Sequence, residues 1–143
     1  MVEAQRDNYA RIVSIEMADE LFSAAQQRFA PYSHITILHG DSGKVLPEAI
    51  RLLDGPATFW LDGHYSGGVT AGGKADPPIL AELAAIASHN EPRDVILIDD
   101  ARLFGWRKGY PSIATVRASA EKYWPHHEFS VESDVICIIP RSP

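Results

Sequence analysis

The stretch Ala57-Thr58-Phe59-Trp60-Leu61-Asp62-Gly63-His64-Tyr65 runs from apolar and β-favouring residues straight into an acid, a glycine and a histidine. A strand buried on both faces carries a continuous apolar run instead of an alternation, as the strands of a parallel sheet do. An Asp at the carboxyl end of such a strand points into the crevice where open α/β sheets bind ligands. Val95-Ile96-Leu97-Ile98-Asp99-Asp100 repeats the form. If both runs are parallel strands of one sheet, Asp62, His64, Asp99 and Asp100 share one edge.

Working outward, each neighbouring segment supports that sheet. Arg11–Glu16 reads as a strand ending in an acid. Asp19 offers an N-cap to a helix whose inward face carries Leu21, Phe22, Ala25 and Phe29, and Pro31 stops it. His34–His39 is a second strand, followed by Gly40-Asp41-Ser42-Gly43. The next helix extends to about Leu53, with Val45, Leu46, Ile50 and Leu53 inward and Pro47 tolerable only near its first turn. After the Asp54-Gly55-Pro56 turn and the opening stretch comes a glycine-rich loop, Gly63–Ala75, of a length often used for a functional lid. Asp76-Pro77-Pro78 caps and starts a helix with the stripe Ile79, Leu80, Leu83, Ile86 and Ala87. Ser112 caps another, with Ile113, Val116, Ala120 and Tyr123 on one face and Pro125 at its end. Glu128–Glu132 and Val135–Ile139, joined at Ser133-Asp134, close the chain as an antiparallel hairpin. Strand and helix alternate up to that hairpin. The expected fold is therefore an α/β, Rossmann-like, mostly parallel sheet with helices on both faces, in a single domain spanning 1–143.

Composition narrows the function. The 143 residues, 45% of them hydrophobic, suffice for one real core and not for two typical domains. A net charge of −6 argues against a nucleic-acid backbone as the main partner. No apolar run approaches membrane-spanning length, and no signal-peptide core opens the chain, so no membrane association and a cytoplasmic location are expected. The lone Cys137 sits in the apolar run Val135–Ile139 and reads as a buried, reduced thiol.

A single Asp after a strand is most often a turn former or helix cap. The argument for chemistry rests on the set Glu16, Asp41, Asp62, Asp99 and Asp100, each placed after a strand. Like charges gathered this closely call for a cation or for donor groups. Asp62, Asp99 and Asp100 offer oxygen ligands suited to Mg²⁺ or Ca²⁺, with water completing the shell. His64 beside hard oxygen ligands reads as a base or a hydrogen-bond partner.

The order of these residues resembles the class I S-adenosylmethionine-dependent methyltransferases, in particular the small-molecule O-methyltransferases similar to catechol O-methyltransferase. The residues carrying the likeness are Glu16 after one strand, Gly40-Asp41-Ser42 after the next, Leu61-Asp62-Gly63-His64 after the next, then Leu97-Ile98-Asp99-Asp100 and the closing hairpin. The likeness extends from about Arg11 to Pro140. It implies that Glu16 accepts hydrogen bonds from the cofactor's ribose hydroxyls and that Asp41, with the backbone of Ser42, lies beside the adenine. It also implies that Asp62, Asp99 and Asp100 occupy the Mg²⁺ positions, the last being an Asn in the catechol-type enzymes. A metal there would bind a small-molecule acceptor's hydroxyl and lower its pKa. Those enzymes carry a Lys three positions after the first metal Asp; here that position is Tyr65, and His64 becomes the candidate base.

The family's fold begins with a strand and a Gly-rich turn that cradles the methionine part of the cofactor. Only ten residues precede Arg11, and Met1–Ala10 contains no glycine. The fold expected here lacks that first unit, so the chain by itself is expected to bind S-adenosylmethionine weakly or not at all. The strands that would flank the missing one are Arg11–Glu16 and Thr58–Leu61. Their unpaired edges lead us to expect a homo-oligomer, unless the two strands pair directly or the chain is a fragment of a longer protein. Two other readings remain. Gly68-Val69-Thr70-Ala71-Gly72-Gly73-Lys74 fits the phosphate-loop pattern of nucleotide hydrolases, although Ala75 replaces the metal-binding Ser or Thr and Pro77 and Pro78 crowd the helix start. The chain could also be a non-enzymatic binding or assembly module that has lost the cofactor site.

Overall fold

The computed structural model describes residues 1–62 and 78–141. The glycine-rich stretch, with His64, Tyr65 and the Gly68–Lys74 pattern, lies outside the described residues. The chain divides into two compact units, Met1–Asp54 and Gly55–Pro143.

The first unit runs α1 (Val2–Gln5), β1 (Ile12–Glu16), α2 (Asp19–Phe29), β2 (Ile35–His39) and α3 (Ser42–Ile50). β1 and β2 pair in parallel, from Ile12↔Ile35 to Glu16↔His39, with α2 as their crossover. Two details of α2 differ from the sequence reading. Asp19 is the first helical residue and Ala18 holds the cap position, its N–H donated to Glu16 Oε1 at 2.9 Å. Leu21 is 61% exposed, because the inward stripe is Phe22, Ala25 and Phe29 and Leu21 lies a full residue rotation off it. In α3 the cap is Asp41, whose Oδ1 accepts the Gly43 N–H at 3.0 Å. Leu46, Ala49 and Ile50 are buried. Pro47 sits inside this helix, past the first turn where the sequence reading tolerated it, and leaves the Gly43 carbonyl without its helical donor. The helix ends at Ile50, and tighter turns at Leu52 and Leu53 follow.

The second unit runs β3 (Thr58–Leu61), α4 (Pro78–Ala87), β4 (Val95–Ile98), a 3₁₀ turn at Ala101–Leu103, α5 (Ile113–Tyr123), β5 (His127–Glu132) and β6 (Val135–Pro140). Its sheet has the order β3-β4-β6-β5, with β3 and β4 parallel and β6 antiparallel to both neighbours. Ser133 and Asp134 both adopt positive φ, 49° and 70°, as a two-residue hairpin turn matched to strand twist requires. Ser112 caps α5, its Oγ accepting the Thr115 N–H at 3.1 Å.

The core of this unit lies on one face of the sheet. Phe59, Ile96, Ile98, Ile136 and Ile138 are buried there, as are Ile79, Leu83 and Ile86 of α4 and Val116 and Ala120 of α5. Each such aliphatic side chain contributes roughly 1.5–3 kcal/mol by leaving water. Burial alternates along β3 and β4 although their residues are continuously apolar. The sequence reading expected both faces of these strands to be buried. The reason for the difference is that α4 and α5 pack on each other, and α5 packs on the hairpin from the Phe129 and Ile138 side. No helix of the described residues is long and apolar enough to cross a membrane.

Candidate functional site

Each unit gathers acids at the carboxyl ends of its parallel strands, for a local reason. In the first unit the pair Glu16↔His39 closes the β1–β2 ladder, and the Gly40 N–H returns to the Glu16 carbonyl at 3.0 Å. Gly40 has φ 144°, and a Cβ there would lie 2.6 Å from Val45 Cγ2, so glycine alone lets the chain turn from β2 into α3. That turn sets Asp41 and Ser42 at the start of α3, one strand away from Glu16. Glu16 is half-buried as a residue, and its Oε1 accepts the Ala18 N–H, so one of its oxygens serves its own chain. Asp41 caps α3 and has Lys44 Nζ at 3.9 Å from Oδ2. His39, which the sequence reading passed over, stacks on Phe22 with ring centroids 4.6 Å apart. Its Nε2 lies 3.0 Å from Asp19 Oδ1 and 3.2 Å from the Met17 carbonyl.

In the second unit the register Leu61↔Ile98 continues into the next residues, the Asp99 N–H reaching the Leu61 carbonyl at 2.9 Å. Asp62 and Asp99 therefore sit side by side at the ends of adjacent parallel strands, as their positions after two apolar runs suggested. Asp62 is exposed and Asp99 half-buried. Asp99 Oδ1 accepts the Asp100 N–H at 2.8 Å. Asp100 itself takes a left-handed backbone, φ 58° and ψ 42°, and its Oδ1 pairs with Arg102 Nη2 at 2.8 Å. Arg102 also pairs with Asp134 of the hairpin turn, which accepts the Arg102 N–H at 2.7 Å.

This arrangement bears on the metal. Among the described residues no three His, Cys, Asp or Glu side chains are gathered as a bound ion needs. Asp62, Asp99 and Asp100 do not form the expected ligand trio. The physical reason is the turn after β4: the left-handed Asp100 hands its carboxylate to Arg102, so a protein cation supplies the compensation that a metal was expected to supply. Among the described residues too few oxygen donors are gathered for Mg²⁺ or Ca²⁺, and we derive no step through a metal.

A second missed group stands at the opposite, amino-terminal ends of β3 and β4. Asp94 is fully buried. Its Oδ1 accepts the Ala57 N–H at 2.9 Å, its Oδ2 lies 2.7 Å from His89 Nδ1, and its carbonyl accepts from His127 Nε2 at 2.9 Å. One residue thus joins the start of β3, the segment after α4 and the start of β5. His127 Nδ1 is buried with no hydrogen-bond partner among the described residues. The only signal in the sequence is an acid just ahead of an apolar run, which looks like any turn residue. A cleft of about 160 Å³ beside α5, lined by Trp124, His127 and Phe129, contains none of the strand-end acids.

The geometry is that of two α/β units, each with acids at the carboxyl ends of its parallel strands, the second closing in an antiparallel hairpin. Superposed on solved structures, the chain aligns over 98% of its length with the SAH-bound methyltransferase PaMTH1 of Podospora anserina, at a TM-score of 0.58 and 16% identity. The chain has a methyltransferase fold. A Staphylococcus aureus protein assigned as a caffeoyl-CoA O-methyltransferase aligns over 90% of the chain at a TM-score of 0.53 and 14% identity. A Clostridium thermocellum protein assigned as an rRNA methylase aligns over 92% at 0.50 and 11%. At these identities the likeness is one of fold. The chain spans 64% of the length of each of the first two and 75% of the third. No family model and no curated protein matches the sequence. The neighbours bear out the α/β class and, as a likeness of fold, the resemblance to methyltransferases, and the closing hairpin is present as β5 and β6.

Proposed function

We propose that the chain is a single S-adenosylmethionine-dependent methyltransferase-like domain, acting by O-methyl transfer to a small molecule when its cofactor site is complete. The observation that carries this reading is the pair Glu16 and Asp41 at the carboxyl ends of two adjacent parallel strands. Glu16 keeps one carboxylate oxygen beyond the bond to Ala18, and a carboxylate accepts two hydroxyl donors with ease. In this reading it holds the ribose, and Asp41 and the backbone of Ser42 lie beside the adenine. Asp62 is assigned to the transferring end of the cofactor on the sequence resemblance alone. The bound cofactor would supply an electrophilic methyl group on sulfur. The chain's own part is to hold the cofactor and to supply a base that takes the proton of the acceptor hydroxyl. His64 is assigned as that base on the sequence argument alone.

The test is calorimetric titration of the whole chain with S-adenosylmethionine. Binding weaker than micromolar, that is less favourable than about −8 kcal/mol, and abolished by Glu16→Ala, is the expected result. A micromolar or tighter Kd would show that a Gly-rich first turn is not needed. The rival reading, a binding or assembly module without cofactor, is favoured by one observation: both Glu16 and Asp41 already accept from their own backbone. No heat at millimolar cofactor decides for it.

Assembly follows from the strand edges. Among the described residues β1 is paired only with β2 in its sheet, and β3 only with β4. Unpaired backbone edges are templates for another chain. We infer a homo-oligomer formed by edge pairing. Light scattering at micromolar concentration should give a mass above one chain, and a monomer that unfolds cooperatively would overturn the inference.

A further inference from the structure

One peptide unit ties the end of β2 to the carboxylate that ends β1. Glu16 and His39 stand opposite each other on the last rung of the β1–β2 ladder. After Glu16 the chain turns through Met17 and Ala18 into α2. In that turn the Met17 carbonyl accepts from His39 Nε2 at 3.2 Å, and the Ala18 N–H is donated to Glu16 Oε1 at 2.9 Å. That carbonyl and that N–H are the two ends of a single amide, which resonance keeps planar and rigid. His39 Nε2 also lies 3.0 Å from Asp19 Oδ1. A carbonyl and an ionised carboxylate only accept, so Nε2 carries a proton in the neutral ring and the charged one alike. The imidazole is held from a second side. It stacks on Phe22 with centroids 4.6 Å and planes 20° apart, and the Phe22 N–H returns to the Ala18 carbonyl at 2.8 Å. The ring, the first turn of α2 and the Met17–Ala18 peptide form a closed circuit within the first unit.

We propose that His39 is a positioning residue for the Glu16 carboxylate and acts through the Met17–Ala18 peptide. Two effects carry the action. A donor on the carbonyl oxygen polarises the amide and makes its N–H the stronger donor, because hydrogen bonds in a chain reinforce one another. The same donor fixes the peptide plane, and with it the direction from which the Ala18 N–H approaches Oε1. The usual device for fixing a helix start is absent here: Ala18 occupies the cap position of α2 and its side chain accepts nothing. A phenyl ring at position 39 would stack on Phe22 as an imidazole does, but only a ring with an N–H reaches the Met17 carbonyl. The consequence for the cofactor rests on the reading of Glu16 as the acid that holds the ribose: His39 then governs how firmly the adenosyl end is gripped without touching it.

The test separates the donor from the ring. His39→Phe keeps the stack and removes the N–H; His39→Gln gives up the ring and restores a donor at the reach of Nε2. Amide proton spectra and solvent exchange are recorded on the whole isotope-labelled chain. In His39→Phe the Ala18 amide should move upfield and exchange about fivefold faster, the factor that one ordinary hydrogen bond is worth. Glu16→Gln, a weaker acceptor, should move the same resonance in the same direction. His39→Gln should restore most of the shift and most of the protection. The Gly40 N–H, bonded to the Glu16 carbonyl on the same ladder, should keep its rate in every variant. An Ala18 amide indifferent to His39→Phe, a Gln variant as damaged as the Phe variant, or a Gly40 amide that quickens along with Ala18 overturns the proposal, the last because it signals general loosening of the unit. Calorimetry with S-adenosylmethionine then reads the consequence. Where the unaltered chain gives heat that Glu16→Ala abolishes, His39→Phe should weaken binding about fivefold, and an unchanged Kd overturns the proposal. Where the unaltered chain gives no heat, the ribose reading falls and the Ala18 amide alone decides the role of His39.

Discussion

Replacing Asp94 by Ala should remove much of the stability of the second unit. The carboxylate is fully buried, and His89 facing it keeps only 10% of its side-chain area exposed. Deletion strands the Ala57 N–H and a His89 ring nitrogen, at about 1–3 kcal/mol for each unsatisfied buried group. Breaking a buried pair by removing one partner costs about 3–5 kcal/mol, which agrees with the sum. For a chain of 143 residues the unfolding entropy is about 0.3 kcal/mol/K, so each kcal/mol moves Tm by about 3 °C. Asp94→Ala should lower Tm by about 10–15 °C at pH 7. Asp94→Asn keeps an acceptor for Ala57 and should lose less than half as much. Thermal unfolding followed by circular dichroism measures both. The node also pins the amino ends of β3 and β4, whose register sets Asp62 beside Asp99 at the other ends. Amide exchange at Asp99, bonded to the Leu61 carbonyl, should therefore quicken in Asp94→Ala. A Tm drop under about 3 °C, or an Asn variant as damaged as the Ala variant, would refute the argument that two hydrogen bonds in a dry site carry the effect.

Gly40→Ala should destabilise the first unit by about 1–3 kcal/mol through its positive φ and the overlap with Val45; adding Val45→Ala should recover part of the loss in urea titrations, and no recovery would mean that backbone strain alone decides. Ser112→Ala, which removes the acceptor of the Thr115 N–H, should cost about 1 kcal/mol, read as a Tm shift of about 3 °C. Burial pushes the Cys137 thiol up, with Glu132 adding to it. The neutral thiol therefore favours the fold below the unfolded thiol's pKa, and that contribution is lost as pH rises through the folded one. The pH midpoint of alkylation should lie above the ordinary thiol value of about 8.5 and fall in Glu132→Gln; a midpoint at or below that value would contradict the burial. Thermal midpoints should not respond to millimolar Mg²⁺, and a rise that Asp99→Asn removes would restore a metal at the strand ends.

Local sequence determined much of this fold. Thr58–Leu61 and Val95–Ile98 are strands because a short β-favouring run bounded by turn residues has no competing local structure, and their parallel pairing follows from the intervening helix. Ser112 and Asp41 cap helices because an oxygen two or three residues upstream of a free N–H is a local event. The hairpin turn at Ser133-Asp134 is local as well. Tertiary structure decided what an acid at a strand end does. Asp100 stands one residue beyond Asp99 at the end of β4, yet Arg102 claims it, and Arg102 is itself held by Asp134, 32 residues on in the chain. Asp94 reads as a turn residue and is the most enclosed acid of the described residues, because Ala57, 37 residues earlier, needs an acceptor there. The two faces of the sheet read alike in sequence, since Trp60, Leu97 and Ile139 are as apolar as Phe59, Ile98 and Ile138. Which face is filled depended on where α4 and α5 came to rest, and periodicity along one strand carries no information about the side its neighbours choose.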